Sequence, residues 1–174
     1  MNILQSCLLV MVCFGLTTSY RIQAKSTYVA FYATLTKHQV LNGAKTVVYD
    51  KVYTNLGSGY NNKNGKFTAP EKGLYYFTST LMAVHNKDLH IVMMKNKNVI
   101  GYGHDARGEA EMGSVNAVIE LGKGDFVQIV HDARVGGQTI YGEGFCSFAG
   151  YLITKLSDRN SAEYVEIHLK SKLK

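Results

Sequence analysis

The sequence predicts an all-β protein built as an antiparallel sandwich or barrel, on three observations. Runs of β-branched and aromatic residues recur with turn signals about every eight to twelve residues. Helix-length runs of helical period are missing from the body of the chain. The 17 glycines, 12 tyrosines and single proline suit many short strands joined by tight turns.

The chain opens on a leader. Residues 7–16, CLLVMVCFGL, form an apolar run too short to span a bilayer, followed by Thr17, Thr18 and Ser19. Residues 1–19 are therefore expected to be a signal peptide, although residues 2–6 carry no Lys or Arg. Cleavage after Ser19 is the first choice and after Ala24 the second, which leaves 20–26 as a short N-terminal segment. No other stretch is long and apolar enough to span a membrane, so a secreted, extracellular protein is expected. Cys7 and Cys13 leave with the leader, and Cys146 remains alone, without an intramolecular disulfide. No N-glycosylation sequon is present.

Formal charge is +6, and all of it lies beyond the leader. A basic domain attracts anionic partners such as acidic glycans or microbial envelope polymers. The basic residues are scattered, so no nucleic-acid tail is indicated, and a generally basic soluble surface is the simpler reading of the same residues.

Residues 27–35, TYVAFYATL, read as a strand buried on at least one face. Asn42-Gly43 marks a turn. Short strands are expected near 46–54 and 66–69, within a stretch punctuated by glycine. Residues 73–84 read as a long strand with Tyr75, Phe77, Ser79, Leu81 and Ala83 on one face. Residues 89–95 and 99–104 form a hairpin about Asn96-Lys97-Asn98. In 114–121, Val115, Ala117, Ile119 and Leu121 alternate inward. Gly122 to Asp125 turns the chain into 126–131; a glycine-rich loop at 135–144 then precedes a last core strand over 145–154. The tail, 155–174, is basic and reads as a short helix through Ala162, Val165, Leu169 and Leu173, or as a strand.

The aromatic frame between Tyr49 and Phe77 carries a resemblance. Tyr49, Asn55, Tyr60, Phe67, Gly73, Tyr75 and Phe77, with Ser79, match in spacing the signature of the complement C1q globular-head family. Tyr49 stands where the family has Phe, and Ser79 where it has an aromatic ring. A hydroxyl at Tyr49 needs a partner if buried, and the lost ring at Ser79 must be filled by a neighbour. Ala30-Phe31, Gly65 to Pro70, Leu121 to Val127 and Ser147 to Ile153 resemble further family segments in the same order, so the resemblance covers residues 27–154. It implies a ten-stranded, TNF-like jelly-roll sandwich that associates as a homotrimer. With no collagen repeat, the chain resembles the short secreted members found in molluscs, where the family is associated with lectin-like recognition in innate immunity. The family also raises Ca²⁺ as an optional ligand, without ligands assigned in this chain.

Catalytic signatures are missing: there is no G-x-S-x-G, H-E-x-x-H, Walker or Rossmann motif. A non-enzyme is expected, with no required cofactor and no catalytic residues. Cys146 sits in an apolar run and reads as a buried, inert thiol. The six histidines show no tight metal spacing; His85 and His90 flank a predicted turn, where a zinc pair is the minor alternative. The tetrapeptide His-Asp-Ala-Arg occurs twice, as His104, Asp105, Ala106, Arg107 and as His131, Asp132, Ala133, Arg134. Each copy follows a predicted strand, where recognition residues collect. Arg107 and Arg134 suit a bidentate grip on carboxylate or phosphate. Asp105 and Asp132 suit sugar hydroxyls or Ca²⁺. Coincidence plus Asp-capped turns is the simpler explanation of the repeat, and the binding reading stands beside it. Three readings follow: a lectin-like module for anionic glycans or microbial surfaces, a structural protein of an extracellular matrix, or a receptor-binding ligand.

Overall fold

The computed structural model describes residues 28–106 and 111–156. The leader, the segment 20–26, Arg107 and the tail beyond 156 lie outside the described residues. The elements are β1 (Ala30–Thr34), β2 (Gln39–Leu41), β3 (Lys51–Leu56), β4 (Tyr60–Asn61), β5 (Lys66–Thr68) and β6 (Gly73–Leu81). They continue with β7 (Leu89–Lys95), β8 (Asn98–Asp105), β9 (Gly113–Leu121), β10 (Phe126–His131), β11 (Gln138–Ile140) and β12 (Ser147–Lys155).

These strands form two five-stranded sheets, ordered β3-β1-β12-β6-β9 and β4-β5-β10-β7-β8, with a ribbon of β11 and β2 at one end. The fold is a jelly-roll sandwich. Its ten sheet strands match the expected number, and the ribbon strands are additions. The turn region 38–45 holds β2 and the glycine-rich loop holds β11, each only three residues long. Both are too short to show a period in sequence, and each exists by pairing with the other, Thr139 opposite Val40.

Alternation sets the register. In β6, Tyr75, Phe77, Ser79 and Leu81 are fully buried while their neighbours are half-buried. β9 pairs along all of β6, Tyr75 opposite Ile119 and Ser79 opposite Val115, so both strands turn the same parity inward. Across the sandwich, Phe31 stacks on Tyr60 at 4.8 Å and on Phe67 at 5.1 Å, and within its own sheet it meets Phe148 edge-on at 4.8 Å. Offset and edge-on arrangements are those that aromatic quadrupoles favour.

The signature residues hold one another. Asn55 Nδ2 donates to the Tyr60 carbonyl at 2.8 Å, and Tyr60 N–H donates to Asn55 Oδ1 at 3.0 Å. That clasp closes the turn between β3 and β4, where Gly57 and Ser58 take φ of 77° and 54°. The Tyr60 phenol then accepts from Tyr49 N–H and donates to the Tyr49 carbonyl, both at 3.1 Å. Asp125 accepts from Asn96 Nδ2 and from Gly122 N–H at 2.9 Å each, tying the β7–β8 turn to the β9–β10 turn. Among the described residues no helix is long and apolar enough to cross a membrane.

Candidate functional site

β7 lies between β8 and β10 and is antiparallel to both, so β8 and β10 end together. This brings the start of the first tetrapeptide and the whole of the second to one end of one sheet. His104 and Asp105 are the last residues of β8; His131 is the last of β10.

The two copies stand in opposite parity. His104 is exposed and Asp105 is buried, whereas His131 is fully buried. Asp105 accepts the Ala83 N–H through Oδ2, while its Oδ1 has no partner among the described residues. Burial pushes its carboxyl above the ordinary range, against the Ala83 bond that lowers it. Asp105 thus faces the protein interior. His131 sets its ring nitrogens 2.7 Å from the Gly43 carbonyl and 3.2 Å from Gln138 Oε1. Arg107 lies outside the described residues.

The second copy builds a surface feature. Arg134 Nε donates to Asp132 Oδ1 at 2.9 Å and to Oδ2 at 3.1 Å, and Arg134 N–H donates to Oδ1 at 3.0 Å. Hydrogen bonding from Arg134 holds the Asp132 carboxyl down at about 2. The guanidinium carbon lies 4.8 Å from the centroid of the Tyr102 ring, a cation–π contact. The Arg134 side chain stays 69% exposed while Asp132 is nearly covered. The fork is oriented, with one edge on Asp132 and donors left for a ligand.

Beside it runs a shallow groove of about 220 Å³. Val92, Met94, Val99 and Val130 line it, with Tyr102 and Arg134 at its polar side. Sequence reasoning did not single out Tyr102, although it precedes His104 by one strand period and shares its face. Gln138 was missed as well. Its Oε1 accepts the His90 N–H at 2.7 Å and its Nε2 lies 3.0 Å from His90 Nδ1, a contact across 48 residues that no local pattern announces.

The aspartates do not fit a shared Ca²⁺ site. Asp105 is turned inward, Asp132 is committed to Arg134, and among the described residues no group of three or more His, Cys, Asp or Glu converges. Cys146 is fully buried with its thiol against the Met82 backbone, and burial pushes that thiol up to about 12. A protonated, covered sulfur is a poor nucleophile.

The C1q domain family model matches residues 30–153. The chain is 31% identical over 130 residues to Complement C1q tumor necrosis factor-related protein 3 of Mus musculus, covering 72% of this chain and 51% of that protein. It is 33% identical over 133 residues to Heavy metal-binding protein HIP of Mytilus edulis, covering 74% of this chain and 62% of that protein. The chain therefore spans between about half and three-fifths of the length of these curated relatives. Among solved structures, the globular domain of zebrafish complement 1qA protein aligns with a TM-score of 0.61 at 21% identity, over 74% of this chain and 99% of that chain. Eiger TNF from S. frugiperda aligns with a TM-score of 0.60 at 9% identity, over 76% and 96%. With the signature residues clasped in the core of a sandwich of this shape, the chain belongs to the C1q domain family.

Proposed function

We propose that this domain is a secreted, lectin-like recognition module that binds anionic glycans or microbial surface polymers as a homotrimer. The observation that carries the reading is the Arg134 guanidinium. It is oriented by Asp132, stacked on Tyr102 and exposed at the side of an apolar groove. An oriented fork loses little freedom on gripping a carboxylate or phosphate, and the groove offers apolar contact to the rest of the ligand. The net charge of +6 favours the encounter. A non-enzymatic binding role accords with this geometry.

The trimer reading is supported by the outer face of the other sheet. Tyr32 and Tyr53 rings sit 5.5 Å apart there, as do Tyr76 and Tyr151. Tyr32, Tyr53, Tyr151 and Val118 are more than two-fifths exposed in the single chain. A contiguous aromatic face of this kind marks an association surface. Light scattering of the mature protein tests it: a monomer at micromolar concentration would refute the trimer.

The binding reading is tested by glycan-array and bacterial-envelope binding of the wild type and Arg134→Ala, with and without Ca²⁺. Loss of binding in Arg134→Ala is expected. Unchanged binding would move the ligand site elsewhere on the domain. Dependence on added Ca²⁺ would assign the ion a role.

A further inference from the structure

His90 and His104 form a second feature at this sheet end, independent of Arg134. They are direct cross-strand partners between β7 and β8, and their ring centroids lie 4.3 Å apart. Two of the other described histidines are committed, and His85 is exposed. His131 is buried with both nitrogens facing acceptors. His38 accepts the Gly142 N–H at 3.0 Å and packs against Tyr141 at 4.4 Å. Among the described residues, Nδ1 of His90 is the one ring nitrogen of the His90–His104 pair that is engaged, by Gln138 at 3.0 Å.

Directly opposed residues on antiparallel strands hold their Cβ atoms about 4.5–5.5 Å apart. The two rings stack at an interplanar angle of 30°, and turning about their side-chain torsions lets each place a nitrogen about 2.0–2.1 Å from one ion. Imidazole suits Zn²⁺, Cu²⁺ and Ni²⁺ better than Ca²⁺ or Mg²⁺. We infer that the His90–His104 pair is a surface site for one divalent transition-metal ion, Zn²⁺ in the first instance, with water completing the coordination. The inference stands on this pair alone, whatever Arg134 binds.

The surroundings say how strong the site is. Gln138 Oε1 accepts the His90 N–H at 2.7 Å, which fixes the amide and points its NH₂ at His90 Nδ1. Neutral His90 then carries its proton on Nε2. Coordination through Nε2 moves that proton to Nδ1, with no net proton change on His90, and breaks the Gln138 contact. Gln138 therefore weakens the site. A carboxylate in its place would accept both the His90 N–H and Nδ1–H, the arrangement that raises the basicity of a ligating histidine. The ionised Asp132 lies close enough to act electrostatically on His90 and favours a cation, with Arg134 opposing it.

The test is isothermal titration of the purified full chain with ZnCl₂ alone at neutral pH, for wild type, His104→Gln and Gln138→Glu. Wild type is expected to take one ion per chain. His104→Gln is expected to weaken uptake, and Gln138→Glu to strengthen it, each about tenfold or more. Zinc should shift the imidazole NMR signals of His90 and His104 together. Unchanged affinity in His104→Gln, or shifts confined to other histidines, would overturn the inference. Should His104→Gln fail to fold, unchanged or weakened affinity in Gln138→Glu overturns it. Arg134→Ala is expected to keep zinc uptake, so failure of the anionic-ligand reading and failure of this one give different results.

Discussion

The phenol of Tyr49 and the hydroxyl of Ser79 meet at 2.8 Å in the sealed centre of the sandwich, and both side chains are fully buried. Both residues depart from the C1q signature, one by gaining a hydroxyl and one by losing a ring. Together they are a single exchange: Ser79 vacates the space and satisfies the polar atom that Tyr49 brings. Burial drives the Tyr49 phenol well above the ordinary tyrosine range, so it stays neutral in this bond. Tyr49→Phe strands the Ser79 hydroxyl, and Ser79→Ala strands the phenol. Each is expected to cost about 1–3 kcal/mol. The double variant should cost clearly less than the sum, because no polar atom is then left unpaired. Urea unfolding of the four proteins checks this, and additive costs would contradict it.

The Asn55 clasp has a separable cost. Asn55→Ala loses both side-chain bonds to Tyr60 and leaves the buried Tyr60 N–H dependent on water. A loss of about 1–3 kcal/mol is expected from two such bonds. Asn55→Asp keeps the acceptor for Tyr60 N–H and loses the donor, so it should fall between wild type and Asn55→Ala. Thermal denaturation of the three proteins gives the order.

The alternation in β6 and β9 was readable because long strands with one buried face repeat every second residue. Asn55, Tyr60 and Gly73 were readable as a spacing, and the structure gives the reason for the first two: they close one turn on each other. β2 and β11 were not readable, since a three-residue strand carries no period and is defined by its distant partner. The repeated tetrapeptide shows the limit most clearly. The two copies, entering from the ends of β8 and β10, fall in opposite parity, so Asp105 is interior while Asp132 orients a surface arginine. Strand parity is fixed by the core neighbours on either side, not by the four residues themselves.

Glycines 43 and 59 should respond differently to substitution. Gly43 takes φ of 55° with nothing within 4 Å of a would-be Cβ. Gly43→Ala should cost about 1 kcal/mol from the left-handed backbone alone, and Gly43→Asn less, because Asn tolerates that region. A Cβ on Gly59 would overlap the fully buried Phe67 ring. Gly59→Ala should cost about 1–3 kcal/mol through overpacking, and Asn should not rescue it. Melting temperatures of the four variants decide.

Asp132 should titrate near 2 in the wild type, by carboxyl NMR, because Arg134 bonds its ionised form. Arg134→Ala removes that bond, and the midpoint is expected to return toward about 4. The folded value is depressed, so the stability from this pair is present above the ordinary carboxylate range. It is lost as pH falls through about 2. An unmoved midpoint in Arg134→Ala would show that the fork does not set the charge of Asp132.

Asp105 should act in the opposite direction. Its carboxyl is buried at the end of β8, with Ala83 N–H on one oxygen and, among the described residues, no partner on the other. Burial is the largest influence, and the negative charge of Glu111 adds to it, so the folded value lies above the unfolded one. A raised acid stabilises the fold below the ordinary carboxylate range, and that contribution is lost as pH rises through the folded value. Asp105→Asn keeps an acceptor for Ala83 and carries no charge to desolvate. The stability of Asp105→Asn relative to wild type should therefore be greater at about pH 7 than at about pH 4. Taking the difference between the two proteins cancels the titration of every other carboxyl group that the substitution leaves alone. Urea midpoints at the two pH values measure it, and an equal difference at both would mean that Asp105 folds with an unshifted carboxyl.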